Sequence, residues 1–129
     1  MKLRSIAMMA VLAVRPAVGA EKLAALAPTA PLTCRIVAKQ YCDQSDCSRQ
    51  PVKLWNVIDF QRQTYARCDR NGCDTFEAHI GRSGVYTNID IEGRGLLAKI
   101  DEDGVFMEIV TLGVTAYVSH GTCVRRQHQ

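Results

Sequence analysis

Hydrophobic and polar residues alternate through much of the second half of the chain. The alternation is clearest in four runs, over 85–91, 96–100, 105–109 and 114–119. Successive side chains of a β-strand point to opposite faces, so a period of two predicts a strand with one apolar face. In the third run, Val105, Met107 and Ile109 are expected to be buried, which leaves Phe106 and Glu108 toward solvent.

Turn-forming segments separate these runs. Glycine-containing segments lie at 82–84, 92–95, 101–104 and 112–113, between the strands predicted above. Upstream, the segment Asp-Arg-Asn-Gly at 69–72 is a strong hairpin signal, because Asn-Gly accepts a backbone with positive φ. Short strands joined by tight turns favour antiparallel pairing between consecutive strands.

Four more strands are expected upstream, near 33–42, 52–60, 63–68 and 74–80. The chain then has about eight short strands, which predicts an all-β fold, a small antiparallel barrel or sandwich. Closure into a barrel would remove exposed sheet edges, which are prone to aggregation. From Cys34 onward, no segment has the period of a long amphipathic helix.

The first residues are typical of a secretion signal. Residues 1–4 form a basic region with Lys2 and Arg4, and the apolar run over 5–14 is shorter than the ~20 residues that a membrane-spanning helix needs. Cleavage is predicted between Ala20 and Ala27, where small residues precede each candidate bond. The alternative is that this segment is a helix of the mature fold. We predict an exported protein, periplasmic or secreted.

The chain therefore divides into four parts. We assign 1–20 to the signal peptide, 21–33 to a flexible extension rich in Ala and Pro, 34–124 to a single β domain and 125–129 to a polar tail. A domain of this size buries only a modest core, so covalent cross-links would add much to its stability. The mature chain has no predicted transmembrane segment.

The charge balance changes once the leader is set apart. The chain has 16 basic and 13 acidic residues, a formal net charge of +3. Lys2, Arg4 and Arg15 lie in the leader, and the remaining 13 basic residues equal the acidic ones in number. Binding to nucleic acid needs clustered positive charge, and Arg125 and Arg126 are the only adjacent basic residues. We predict no nucleic-acid partner.

Six cysteines lie beyond the leader: Cys34, Cys42, Cys47, Cys68, Cys73 and Cys123. An even number in a small exported chain predicts a disulfide framework, and six cysteines allow fifteen pairings. We favour Cys42–Cys47 and Cys68–Cys73, which bracket turns, and Cys34–Cys123, which would tie the first strand to the last. The alternative is zinc bound by the two C-x4-C pairs, although export favours oxidation over thiolate ligands. We predict no metal and no cofactor.

Few residues could support catalysis. Glu77, His79, Arg82 and His120 could form an acid–base cluster in a small secreted hydrolase or nuclease. The simpler interpretation is that these polar residues face solvent. We therefore predict a non-catalytic binding or inhibitor module, and the alternatives are such a hydrolase or nuclease using His79 and His120, or a structural protein of the cell envelope.

Two short motifs carry a family resemblance. Ser83–Tyr86 (Ser-Gly-Val-Tyr) lies on a predicted loop that enters a strand, and Lys99 lies on the next strand. Together with Tyr65-x-x-Cys68 upstream and Cys123 near the end, these residues resemble the C-type lysozyme inhibitors of the bacterial periplasm, which are small exported antiparallel barrels.

The resemblance covers about 60–123 of this chain. It implies that the partner is a lysozyme, whose cleft Ser83, Tyr86 and Lys99 would enter. The chain departs from the family pattern in three ways: Tyr86 follows one residue too soon, Ile100 stands where the family usually has Gly after the lysine, and the family carries fewer cysteines.

Overall fold

A computed structural model describes residues 30–125, and β-strands account for most of them. The strands are β1 (Leu32–Cys42), β2 (Cys47–Arg49), β3 (Trp55–Asp59), β4 (Thr64–Asp69), β5 (Gly72–Glu77), β6 (His79–Ser83), β7 (Tyr86–Ile91), β8 (Leu96–Ile100), β9 (Val105–Leu112) and β10 (Thr115–Arg125). None of the described residues is helical, so the described part of the chain contains no helix that could cross a membrane. The predicted signal peptide, most of the extension and residues 126–129 lie outside the described residues.

The strands form one antiparallel sheet in the order β5-β4-β3-β1-β10-β9-β8-β7-β6, with β2 added beside β1. Only Ala78 separates β5 from β6 along the chain, so the two ends of the sheet are consecutive segments. The sheet therefore curls into a nearly closed barrel. This confirms the predicted all-β, antiparallel, disulfide-linked fold.

Contacts from neighbouring loops support the seam where the sheet closes. The Ala78 backbone N–H donates to the Gln63 carbonyl at 2.9 Å, and the Ile80 N–H donates to the Gln63 side-chain oxygen at 3.0 Å. Across the seam, the Arg94 guanidinium lies 5.2 Å from the centroid of the Phe76 ring. These contacts connect parts of the sheet on either side of the seam, where β5 and β6 are not paired with each other.

Apolar side chains from most walls of the barrel meet in its interior. The core includes Leu32, Ile58, Ile89 and Ile100, all buried. The alternation correctly predicted which side chains of β7 and β8 face inward. In both strands, every second residue is buried, as expected from the sequence. β1 begins at Leu32, so the barrel starts inside the segment 21–33 that was predicted to be a flexible extension.

The face assignment predicted for β9 was wrong. Phe106 and Glu108 point inward and are buried, whereas Met107 is 39% exposed. The register explains this result, because β9 pairs Phe106 with Ile100 and Glu108 with Ala98, both of which face inward on β8. Directly opposite residues share a face of the sheet, so the neighbouring strand decides which face of β9 is buried.

The disulfides follow the pairing favoured from the sequence. Cys34–Cys123 joins β1 to β10, Cys42–Cys47 joins β1 to β2, and Cys68–Cys73 joins β4 to β5. All six cysteines lie within the described residues and all are paired, which leaves no thiolate for zinc. Three disulfides in a small chain indicate an oxidising, extracytoplasmic environment.

β1 and β10 approach each other closely at Gly121. The register between these strands shifts at a bulge between Ile36 and Ala38, and Gly121 lies opposite Ile36. A Cβ atom at Gly121 would collide with the carbonyl oxygen of Arg35. Only glycine allows this approach, since the obstructing atom belongs to the backbone and cannot rotate away.

Loss of the Cys34–Cys123 bridge is expected to destabilise the barrel more than loss of a hairpin bridge. The bridged residues are 89 apart in sequence, compared with 5 for Cys42–Cys47. In the loop-entropy model, replacing both cysteines by alanine costs about 4.6 kcal/mol for the long loop and about 2 kcal/mol for the short one. Urea unfolding, followed by fluorescence of the single tryptophan, measures both; equal losses would contradict the expectation.

Gly121→Ala is expected to lower the free energy of unfolding by several kcal/mol, because the methyl group would force β1 away from β10 (roughly 2–4 kcal/mol). Gly81→Ala is the matched control, since a Cβ there would meet no described atom within 4 Å. Thermal melts of both variants test this expectation. A Gly121→Ala protein as stable as the control would show that the close approach is unimportant.

Candidate functional site

The hairpin of β6 and β7 presents Ser83 and Tyr86 side by side. Ser83 ends β6 and Tyr86 begins β7, and the two pair directly across a turn formed by Gly84 and Val85. Gly84 has a φ of 59°, whereas Val85 does not have a positive φ. A glycine with positive φ at the first central position is typical of a type II′ hairpin turn. The predicted loop is thus a tight hairpin tip.

Lys99 joins these two residues from the neighbouring strand β8. Its neighbours Ala98 and Ile100 are buried, so Lys99 points to the outside of the barrel. The Lys99 ammonium lies 5.5 Å from the centroid of the Tyr86 ring, a cation–π contact. The structure therefore brings Ser83, Tyr86 and Lys99 together on one exposed surface.

A shallow groove runs beside these residues. Gly81, Asn88 and Lys99 lie in one register row across β6, β7 and β8, and the absence of a side chain at Gly81 keeps the row open. The groove has a volume of about 360 Å³, and Leu97, which is 59% exposed, forms part of its apolar lining. We call this surface the β6–β8 face, defined by Ser83, Tyr86, Asn88, Leu97 and Lys99.

The β6–β8 face has the chemistry of a binding surface. An ammonium group beside two hydroxyl groups can donate charge-assisted hydrogen bonds to carboxylates. Asn88 can both donate and accept, and Leu97 supplies apolar area. Among residues 30–125, no cluster of three or more His, Cys, Asp or Glu side chains is arranged to hold a metal ion.

The two histidines proposed as a catalytic pair are not brought together. His79 lies on β6 and His120 on β10, with β7, β8 and β9 between them in the sheet. His79 contacts Glu92 instead, with 3.7 Å between Nε2 and Oε2, and both side chains are largely exposed. An exposed contact of this kind contributes little to stability. Glu77 and His79 line one surface depression, and His120 is not part of its lining.

A second polar group, which the sequence analysis missed, lies inside the barrel. Asn56 and Glu108 are 1% and 2% exposed, and Tyr65 and Ser119 are also buried. The Tyr65 hydroxyl donates a hydrogen bond to Oε2 of Glu108. β4 and β9 have β3, β1 and β10 between them in the sheet, so this bond crosses the barrel interior. We call these four residues the interior polar cluster.

Sequence reasoning placed Glu108 on the solvent side because β9 has apolar residues on both faces. Val105 and Met107 lie on one face and Phe106 and Val110 on the other, so alternation alone does not choose between them. The one available signal was the tyrosine at position 65, since a buried carboxylate needs a hydrogen-bond donor. Only the register of β9 reveals that the two residues meet.

Burial shifts the pKa of Tyr65, in the cluster, and of Lys39, beside it. It raises the pKa of Tyr65 far above its ordinary value, and the charge of Glu108 and its hydrogen bond add to the effect. The pKa of Lys39, nearby, is lowered, first by burial and then by the positive charge of Arg67, while Glu108 opposes the change. Tyr65 therefore remains a neutral hydroxyl donor to Glu108.

No protein-family model, no curated protein and no solved structure matches this chain. A function must therefore be argued from the residues of the chain itself. The β6–β8 face is exposed and can meet a partner, whereas the interior polar cluster is enclosed by the barrel.

Tyr65→Phe is expected to lower the free energy of unfolding by about 1–3 kcal/mol at neutral pH, because Glu108 would stay buried without its donor.

A second effect of Tyr65→Phe on stability is expected at high pH. Because the pKa of Tyr65 is raised in the folded state, its neutral form stabilises the fold below the unfolded-state pKa of about 10. Above that pH, Tyr65 ionises in the unfolded wild-type protein. The free energy of unfolding of the wild type therefore falls, relative to that of the variant, by about 1.4 kcal/mol per pH unit.

Urea titrations between neutral pH and pH 11 measure both effects. Tyr41→Phe is the matched control, because the Tyr41 side chain is only half-buried and packs against the Tyr117 ring. If Tyr65→Phe matched the wild type at neutral pH and showed the same pH dependence, the bond to Glu108 would contribute nothing to the fold.

Proposed function

We propose that this chain is an exported, non-catalytic binding protein that inhibits a C-type lysozyme through its β6–β8 face. The observation that supports the proposal is the convergence of Ser83, Tyr86 and Lys99 on one exposed surface. The sequence resemblance assigns these same residues to the lysozyme cleft. Export is supported by the leader-like residues 1–20 together with the three disulfides.

The partner's chemistry suits this face. Glycoside hydrolases such as lysozyme place a pair of carboxyl groups on either side of the bond that they cleave. Lys99 would form an ion pair with a carboxylate in the cleft, and the hydroxyl groups of Ser83 and Tyr86 would donate hydrogen bonds beside it. The contact between Lys99 and the Tyr86 ring limits the freedom of the lysine before binding, which lowers the entropic cost.

Apolar side chains flank the charged centre. Met107 pairs directly with Lys99 across β8 and β9 and is 39% exposed, and Leu97 is exposed on the same side of the sheet. Protein interfaces commonly combine a few anchoring residues with surrounding contacts that exclude water. Exclusion of water around Lys99 would strengthen its attraction to a carboxylate.

The barrel makes the hairpin a rigid element. β6 and β7 pair along the length of β6, and β7 pairs in turn with β8, so all three strands that form the face are held in one sheet. A site that keeps its shape on binding avoids the cost of ordering a loop. This favours tight inhibition by a small protein.

The positions of the two histidines weigh against the hydrolase or nuclease alternative. It required His79 and His120 to converge, and they lie on different walls of the barrel. The exposed Lys99 with an adjoining groove supports a specific partner, and hence an inhibitor over a structural envelope protein.

Lys99→Ala is expected to weaken inhibition by at least about 30-fold, the loss typical of a residue that dominates an interface. Its unfolding midpoint should equal that of the wild type, because Lys99 is exposed and outside the core. The measurement is the rate of cell-wall lysis by a C-type lysozyme as inhibitor concentration is raised, with parallel urea unfolding.

Arg70→Ala provides the matched control, because it removes an exposed positive charge from the turn between β4 and β5. This control should retain full inhibition. A wild-type protein that neither inhibits nor binds lysozyme would contradict the proposed function, whereas full inhibition by Lys99→Ala would contradict the assignment of the site.

A further inference from the structure

The side-chain amide of Asn56 is buried inside the barrel without a hydrogen-bond partner among the described residues. Asn56 is 1% exposed, and neither its Nδ2 nor its Oδ1 atom has a hydrogen-bond partner among residues 30–125. Buried polar atoms are almost always paired, with protein or with ordered water, because leaving them unpaired is unfavourable. The amide of Asn56 therefore indicates a ligand that can both accept a hydrogen bond and donate one.

A small, partly open space adjoins this amide. Its walls include Asn56, Glu108 and Ser119, and the segment Val52–Leu54, which connects β2 to β3, lies over it as a strap. The volume is about 10 Å³ for the centre of a water-sized molecule. One buried water needs a volume of that order and two to four polar partners. Metabolites need several hundred Å³, so the space excludes them.

The charges around the space and the amide of Asn56 favour a neutral occupant. Lys39 and Lys53 form part of the wall, and Arg67 lies directly opposite Asn56 on β4. These three positive charges disfavour a metal or alkali cation. Glu108 offsets part of the positive charge, and an anion, which donates no hydrogen bond, would leave Oδ1 of Asn56 unpaired. A water molecule carries no charge, and it satisfies both kinds of atom that the Asn56 amide presents.

We propose that the barrel binds one ordered water molecule between Asn56, Glu108 and Ser119, beneath the Val52–Leu54 strap. Through this water, Tyr65 and Glu108 are connected to Asn56 on β3 and to Ser119 on β10. A single hydrogen-bond network then links four strands. This site is independent of the β6–β8 face and of the proposed inhibition of lysozyme.

A high-resolution crystal structure of the whole chain, grown in rubidium chloride, tests the proposal directly. The expected result is one water within about 3 Å of the Asn56 amide and of Glu108 or Ser119. An Asn56 amide paired directly with protein atoms, with no water beside it, would overturn the proposal. Anomalous density from rubidium at the site would also overturn it, because the occupant would then be a cation.

Magnetic relaxation dispersion of water oxygen-17 provides the test in solution, because it counts long-lived internal waters. Asn56→Leu, an apolar replacement of similar shape, should lower that count by one. Asn71→Leu is the matched control, since Asn71 is exposed in the turn between β4 and β5 and its replacement should leave the count of internal waters unchanged. An unchanged count in Asn56→Leu would refute the site, and the wild-type crystal decides the matter if this variant does not fold.

Discussion

The pairing of the first strand with the last is the constraint on which the rest of this structure depends. β1 and β10 join two halves of the sheet, β5-β4-β3-β1 on one side and β10-β9-β8-β7-β6 on the other. Without this pairing each half would be an open sheet with a long exposed edge. The Cys34–Cys123 disulfide and the close approach at Gly121 both lie on this junction, so covalent and steric effects act at the same place.

Closure of the sheet creates an interior with mixed polarity. Apolar residues fill much of the barrel, but the bond between Tyr65 and Glu108 passes from one wall to another through this low-dielectric space. Such a bond is strong when both partners are present and costly when one is missing. The interior polar cluster therefore favours one arrangement of β4 relative to β9, beyond what non-directional apolar packing would specify.

The outer side of the sheet is free of the packing constraints that act on its inner side, and the proposed binding surface lies there. Side chains alternate between the two faces, so Ala98 and Ile100 support the core while Lys99, between them, meets solvent. The residues of the β6–β8 face can change without loss of packing, and the scaffold can hold them in place. This division between faces explains how a small domain can combine a rigid fold with a specific surface.

Local patterns in the sequence determined most of the strands and turns and the favoured disulfide pairs, because alternation and turn residues act over a few neighbours. They also placed Ser83, Tyr86 and Lys99 near one another, since consecutive hairpin strands lie side by side. They did not reveal the short strand β2, and the segment 74–80, predicted as one strand, is divided between β5 and β6 at Ala78. The tertiary structure alone decided which face of β9 is buried, that Glu108 meets Tyr65, and that His79 and His120 lie apart. The physical reason is that register and barrel closure join residues distant in sequence, and a period of two is the same whichever face turns inward.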